Sequence, residues 1–231
     1  MEVAHRRQVI YISIAMNKVT VPSRPRGRPR AFDRDDALER AMRLFWSRGY
    51  EATSVSDLTE AMGITSPSLY GAFGDKKQLF LEAVDRYQDG PGRFAQRALS
   101  EEPTAERAIR RLLMDAIASF SDPRQPKGCM VVLAATNCTV ESSDVLSGLA
   151  DRRRVAERAI RDRIAAGRAA GELPTGADID ALAGMVVATL FGLSIKARDG
   201  ASRASLRKIV EQTMRTWPRR EATTSLEAIT K

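Results

Sequence analysis

The chain has very few of the residues that metal and catalytic sites require. Its 231 residues include one histidine, His5, and two cysteines, Cys129 and Cys138. Zinc sites and histidine-based triads need several such side chains at defined spacings, so neither kind of site is predicted. Two cysteines are also too few for a disulfide scaffold, which favours a reducing, cytoplasmic compartment. The sequence therefore predicts a protein that is not an enzyme and carries no metal or cofactor.

The two cysteines bound one apolar segment, CMVVLAATNC, for which we predict a buried helix over residues 129–138. Nine residues of helix separate two positions by about 13 Å, which is too far for a disulfide bond. One alternative stays open, in which Cys129 or Cys138 senses oxidants or electrophiles.

Long hydrophobic runs are absent as well. The longest uncharged run, residues 181–195, has 15 residues, whereas a membrane-spanning helix needs about 20. The apolar residues 9–16 are followed by no small-residue cleavage pattern, so no secretory signal is predicted. We therefore expect no membrane partner.

Positive charge, by contrast, is abundant and unevenly placed. The net charge is +8 and the pI is about 9.9, and residues 1–31 hold seven Lys or Arg against one acid. Pro and Gly interrupt the segment RPRGRPR, residues 24–30, so it cannot form a helix. We predict a disordered basic arm over residues 1–26, and we assign Arg28 and Arg30 to DNA phosphates or the minor groove. A charged linker is the alternative.

Residues 54–73, SVSDLTEAMGITSPSLYGAF, predict two short helices joined by a tight turn. Ser54 and Asp57 have the spacing of a capping box, Gly63 suits a left-handed turn, and Thr65 can cap the second helix. The outward positions of that helix carry hydroxyl groups, an aromatic ring or no side chain, and no acid. This face predicts a helix-turn-helix whose second helix binds DNA. The alternative is a helical hairpin with a solvated outer face.

Further helices are predicted on both sides of this motif. Asp33 can cap a helix over residues 33–48, and Asp75 can cap one from Lys76 to about Gln88. Lys76 is a cation at a helix N-terminus, where acids are preferred, so we expect it to face a phosphate. Across these helices, GRPRAF, LFWSRGYEATS and SLYGAFGDK resemble the DNA-binding domain of the TetR/AcrR family of transcriptional regulators.

The resemblance covers residues 27–87 and implies an all-α protein. A three-helix DNA-reading head would precede a helical domain that dimerises and binds an inducer, and the turn threonine, the third helix and the lysine opening the fourth helix would touch DNA. The sequence departs from the commonest family pattern at Pro67, where glycine is frequent, and at Gly71, where a larger residue is often found. The complete predicted DNA-binding set is Arg28, Arg30, Thr53, Ser54, Thr65, Ser66, Pro67, Ser68, Tyr70, Gly71 and Lys76.

Beyond residue 90 the apolar periodicity predicts helices over residues 104–121, 129–138, 143–170, 178–198 and 203–216. We predict the arm at 1–26, the head at 27–88, a regulatory and dimerisation domain at 89–218 and a tail at 219–231. The helix at 178–198 is apolar nearly all round, which favours burial in a two-fold four-helix interface. The predicted dimer residues are Gly184, Ala188, Gly192, Leu206, Ile209 and Val210.

An effector cavity is predicted inside the second domain, although plain core packing explains the same residues equally well. Its predicted lining is Met114, Ile117, Phe120, Cys129, Met130, Leu133, Asn137, Met185 and Phe191. We therefore expect a homodimeric repressor that binds a palindromic double-stranded operator and is released by a small molecule whose identity the sequence does not give. Alternatives of another class are an all-helical enzyme and a helical dimer that uses its basic arm nonspecifically.

Overall fold

The computed structural model describes residues 32–219 except residue 137. The predictions for the basic arm, for Arg28, Arg30 and Asn137, and for the tail beyond residue 219 lie outside the described residues. The described chain folds into ten α-helices and contains no β-strand, which confirms the all-α prediction. The helices are α1 Arg34–Arg48, α2 Val55–Met62, α3 Ser66–Phe73, α4 Lys76–Asp89, α5 Phe94–Glu101, α6 Ala105–Phe120, α7 Met130–Leu133, α8 Ser143–Ala169, α9 Ile179–Arg198 and α10 Arg203–Arg215.

Local signals in the sequence set the ends of the first three helices. The Asp33 carboxylate caps α1 by accepting from two backbone N–H groups. Ser54 and Asp57 form the complete capping box of α2, and Gly63 ends that helix in the left-handed conformation, with φ +68°. The Thr65 hydroxyl caps α3. The helix-turn-helix is therefore formed as the sequence predicts, because a side-chain acceptor is present at each of these helix starts for at least one backbone N–H that has no partner within its helix.

Aromatic side chains pack helix α1 against helix α4, and this pair of helices supports the helix-turn-helix. The Phe45 and Phe80 rings meet edge to face with centroids 5.0 Å apart, and Trp46 meets Tyr87 in the same way at 4.7 Å. All four residues are at most 1% exposed. Burying side chains of this size stabilises the head by about 1.5–3 kcal/mol each, so α3 is presented on a rigid support.

This core is completed by residues from later in the chain. Met130, Ala134 and Leu149 belong to the same buried cluster as Phe45 and Trp46. The Trp46 indole also donates a hydrogen bond of 3.1 Å to the carbonyl of Gly128. Residues 32–219 belong to one compact unit, and the buried cluster of the head continues across the predicted boundary at 88/89.

The segment 129–138 differs from its prediction. The helix covers only one turn, α7, and Ala134 ends it. The carbonyl of Ala134 instead accepts a hydrogen bond from the backbone N–H of Tyr50, so the contact with the head replaces continuation of the helix. The short helix α5 was not predicted, because Gly90, Pro91 and Gly92 in front of it indicate only a chain break.

A second core joins α5, α6, α8, α9 and α10. Within it, α9 is long and apolar enough to cross a membrane, with a mean hydropathy of 1.6, and 28% of its apolar stretch is buried. Core helices of soluble proteins can have the same length and hydropathy. On α8, Val155 is 56% exposed and Leu146 is 37% exposed, although the periodicity predicts that both are buried.

Candidate functional site

The outer face of α3 is exposed and carries no acidic side chain. Ser66, Pro67, Tyr70 and Gly71 are all exposed, and Ser68 is half-buried. Tyr70 is 51% exposed despite its size. On the opposite side of the helix, Leu69 and Phe73 enter the core of the head. This segregation leaves hydroxyl groups and one aromatic ring free to meet a partner.

The hydroxyl groups at the start of α3 are already ordered. The Thr65 oxygen accepts from the Ser68 backbone N–H at 3.4 Å, and the two side-chain oxygens lie 2.9 Å apart. The Ser54 hydroxyl donates to Asp57 in the capping box of α2. All three side chains remain at least partly exposed, and a hydroxyl oxygen has two lone pairs, so each can take part in a further contact as an acceptor.

Thr53 requires a correction. It was predicted to contact DNA, but it has no exposed surface. Its hydroxyl donates a 2.7 Å hydrogen bond to the carbonyl of Gly49. The side chain therefore shapes the turn between α1 and α2, and it has no free donor to offer a phosphate.

The side chain of Lys76 packs against the aromatic ring of Tyr50. Its Nζ atom lies 4.3 Å from the centroid of the Tyr50 ring, a distance suited to a cation–π contact. Partial burial lowers the pKa of Lys76, and the nearby Glu51 opposes that shift. No carboxylate among the described residues lies within ion-pair distance of Lys76, whereas its neighbour Lys77 pairs with Asp144. Lys76 therefore keeps an unneutralised charge beside α3.

Gly71 lies at the centre of this surface. A Cβ atom built there would meet nothing within 4 Å. The protein's own packing therefore does not require glycine at this position. A close approach by an external partner is a physical reason for it.

A cavity of about 120 Å³ lies between α4, α5, α6, α8 and α9. Of the predicted lining, Phe120, Cys129 and Phe191 border it. Met114, Ile117, Met130, Leu133 and Met185 do not border this cavity. Ile117 and Met130 are buried in the cores, and Met185 borders a surface groove against α10. The sequence-based prediction missed Tyr87, Arg152 and Arg153, which also line the cavity. No pattern in the sequence indicated them, because an apolar-face tyrosine such as Tyr87 is typical of a core and a run of arginines is typical of a solvated helix face.

The surroundings of both cysteines disfavour the thiolate form. Burial raises the pKa of the Cys129 thiol, and the Tyr87 hydroxyl, two backbone N–H groups and the Arg153 guanidinium offset that effect only in part. Burial and the charge of Glu51 also raise the pKa of Cys138. Since the thiolate is the reactive form, neither residue is set up for rapid modification near neutral pH.

Comparisons with known proteins agree with this geometry. Residues 37–83 match the model of the tetR family of bacterial regulatory proteins, and residues 105–213 match the tetracyclin repressor-like C-terminal domain. The HTH-type transcriptional repressor ComR of Escherichia coli K12 is 37% identical over 209 residues, which are 89% of this chain and 98% of ComR. The chain belongs to the TetR family of transcriptional regulators. BdcR, another HTH-type repressor of Escherichia coli K12, is 30% identical over 180 residues, which are 78% of this chain and 86% of BdcR.

A solved TetR-family structure is also similar across the whole fold. The regulator CifR, as a cysteine mutant complexed with a 26-base-pair double-strand operator DNA, is 45% identical. It superimposes with a TM-score of 0.80, covering 83% of this chain and all of the CifR chain. The fold comparison therefore extends to a relative in the presence of its operator.

One face of α9 is not covered by other residues of the described protomer. TetR-family regulators act as dimers, and such a face is available to a second protomer. Ala181 and Ala188 are exposed, and Ile195 is 49% exposed. Cβ atoms at Gly184 and Gly192 would meet nothing within 4 Å. On α10, Ile209 is half-buried beside this face. Leu206 and Val210 were predicted at the interface but are 0% exposed within the protomer's own core, so they have no surface for a partner.

Proposed function

We propose that this TetR-family protein is a homodimeric, cytoplasmic repressor that reads a two-fold symmetric operator with α3 of each protomer. The observation that carries the proposal is the acid-free outer face of α3 beside the unneutralised Lys76. Ser66, Ser68 and the backbone at Gly71 would contact base edges, while Tyr70 and Lys76 would contact phosphates. Its likeness to CifR, whose solved structure is a complex with operator DNA, supports the same assignment.

The dimer is part of the proposal because one α3 reaches only a few base pairs. Two heads separated by about 34 Å would occupy successive major grooves on one side of the duplex. The face of α9 formed by residues 181, 184, 188, 192 and 195, with Ile209 of α10, would pack on its symmetry mate. Small residues at 184, 188 and 192 would allow close approach of the two α9 helices. The apolar surface of α9 would then be buried by protein and not by a membrane.

Selection of duplexes from a random pool tests the proposal. We expect enrichment of a palindromic site with half-sites about one helical turn apart. Binding to that site should weaken steeply with added salt, because phosphate contacts release counterions. Failure to enrich any symmetric sequence, together with a flat salt response, would contradict the proposal and favour a nonspecific helical dimer.

The effector would act from the internal cavity through α4. Tyr87 borders the cavity in the last turn of α4, and Lys76 opens the same helix about 17 Å away along its axis. A ligand that favours a different position of Tyr87 would therefore move Lys76 and change the spacing of the two heads. It can release the operator only through unequal affinity for the two arrangements.

Thiol sensing is the second proposal, because Cys129 borders this cavity. The raised pKa values of Cys129 and Cys138 favour a noncovalent effector over this alternative. Replacing both cysteines with serine separates the two mechanisms. The noncovalent mechanism predicts normal release by the effector, whereas loss of release with intact operator binding would support the thiol sensor.

A further inference from the structure

The internal cavity has apolar walls. Its apolar lining includes Phe94, Leu112, Phe120, Val132, Leu190 and Phe191. A surface groove of about 480 Å³ adjoins it and shares Gln88, Arg152 and Leu190 with it. The cavity can therefore hold a compact apolar body, and the groove supplies a path for entry.

The charge in this cavity has one sign. Among the residues that the structure describes, the lining of the cavity and of the adjoining groove includes no aspartate or glutamate, but it includes Arg152, Arg153 and, in the groove, Arg163. Arg152 is neutralised by Asp85 at 2.6 Å. Arg153 has no carboxylate within ion-pair distance among the described residues. One side of the cavity thus carries an uncompensated positive charge.

The Arg153 side chain is anchored by one hydrogen bond and keeps further N–H donors unused. One guanidinium nitrogen donates a 2.9 Å hydrogen bond to the carbonyl of Val131. The guanidinium has five N–H donors in a rigid fork, so most of them are still available. Partial burial lowers the pKa of Arg153, which means that its charge lacks full compensation in the unliganded protein.

Tyr87 adds a second donor, its hydroxyl, to the same cavity. The residue is 1% exposed, and its buried hydroxyl has no hydrogen-bond partner of normal geometry within the described residues. Its polar neighbours are the thiol of Cys129, which also lines the cavity, and the backbone N–H of Met130. A thiol is a weak acceptor, so a stronger acceptor in the cavity would improve the pairing of this hydroxyl.

We infer that the cavity binds a small monocarboxylate, with the carboxylate accepting from Arg153 and Tyr87 and the apolar body packed against the aromatic and aliphatic walls. This inference rests on the proposed function, since it names the chemical class of the effector. A carboxylate matches the guanidinium fork and can accept the tyrosine proton at the same time. An ammonium ligand is disfavoured because none of the described residues that line the cavity is an acid. A neutral hydrocarbon offers no acceptor to the spare donors of Arg153 or to the Tyr87 hydroxyl.

Full-length protein and matched probe pairs test this inference. The probes are benzoate with benzyl alcohol, and hexanoate with hexanol. Binding is followed by the fluorescence of Trp46, whose ring packs against Tyr87 with centroids 4.7 Å apart, in a Trp217→Phe background that removes the other tryptophan. We expect each carboxylate to bind about tenfold or more tightly than its alcohol, as charged hydrogen bonds of this kind imply.

Three variants locate the effect. Arg153→Met should abolish the preference for the carboxylate, and Tyr87→Phe should weaken carboxylate binding several-fold while leaving the alcohol unchanged. Arg154→Met is the matched control, because Arg154 is exposed and pairs with Asp151 outside the cavity lining. Arg153→Lys keeps the charge, so partial retention of the preference separates electrostatic recognition from a folding defect.

Equal binding of each carboxylate and its alcohol, or no binding of any probe, would overturn the inference. So would an unchanged preference in Arg153→Met. Operator binding is measured on the same samples without any probe. Failure of the ligand assay with intact operator binding then counts against the carboxylate alone, whereas loss of operator binding counts against the proposed function.

Discussion

Tyr50 and Ala134 are joined by a backbone hydrogen bond of 2.7 Å from the N–H of Tyr50 to the carbonyl of Ala134. The Tyr50 ring in turn supports the ammonium group of Lys76 at 4.3 Å. Cys129 and Val131, from the same short segment as Ala134, border the internal cavity. A displacement of this segment by a ligand would therefore reach Lys76 through two direct contacts, in parallel with the route along α4.

Substitution of Gly49 tests this connection. Gly49 has φ +86°, and a Cβ atom there would lie 3.2 Å from the carbonyl oxygen of Ala134. We expect Gly49→Ala to destabilise the protein by about 1–3 kcal/mol, the usual cost of a strained backbone conformation. It should also weaken operator binding, because the added methyl group pushes Ala134 away from Tyr50. Urea denaturation and fluorescence anisotropy with labelled operator measure the two effects.

Gly200→Ala is the matched control for that experiment. Gly200 also has a positive φ, +91°, but a Cβ atom there would meet nothing within 4 Å. It should therefore reproduce the backbone strain without disturbing the Tyr50–Ala134 contact. If the two variants lose operator affinity equally, the connection has no special role.

Gly71 offers a test in which stability and function should move in opposite directions. Gly71 is within a helix and a methyl group there has free space, so Gly71→Ala should stabilise the head by about 0.5–1 kcal/mol. The same methyl group would meet the DNA if α3 lies deep in the major groove, and operator affinity should fall. Thermal unfolding and anisotropy measure both. Gly148→Ala, also within a helix and with its nearest neighbours at 3.9 Å, should leave operator affinity unchanged.

The sequence predicted the helix-turn-helix almost residue by residue because its determinants are local. Ser54, Gly63 and Thr65 act on groups within three or four positions of themselves, and such signals can be read without knowing the fold. The burial of Thr53 was not predicted. Its hydroxyl donates to the carbonyl of Gly49, and that contact depends on the conformation of the turn, which the sequence pattern does not show. The short α7 was mispredicted because its end is fixed by Tyr50, more than eighty residues earlier.

The cavity was the least predictable feature for the same reason. Its polar residues, Tyr87 and Arg153, come from two helices that are far apart in the sequence. A buried tyrosine at an apolar position is typical of a core, and a run of arginines on a long helix is typical of a solvated face. Only the packing of α8 on α4 and α9 makes the two side chains part of one site. Residues whose role depends on such contacts leave no periodic signal.

Lys76 and Lys77 are adjacent, but we expect only Lys76 to contact DNA. Lys76 forms no ion pair among the described residues, although Glu51 is nearby, whereas Lys77 is paired with Asp144. Lys76→Met should weaken binding to matched and unmatched DNA alike and reduce the slope of log affinity against log salt by about 1, as expected for one lost phosphate contact. Lys77→Met should change that slope much less. A full salt slope in the Lys76 variant would remove Lys76 from the DNA interface.

The uncovered face of α9 makes a prediction about assembly. Ala188 is exposed in the protomer and lies between Gly184 and Gly192 on one side of the helix. Ala188→Arg would place two guanidinium groups against each other across the proposed two-fold axis, where neither could be solvated. We expect monomers by sedimentation and a loss of operator affinity of roughly 10²-fold or more, because two linked heads bind far more tightly than one. Ala166→Arg, at an exposed alanine on α8, should leave both properties unchanged. A dimeric Ala188→Arg protein with normal affinity would place the interface elsewhere.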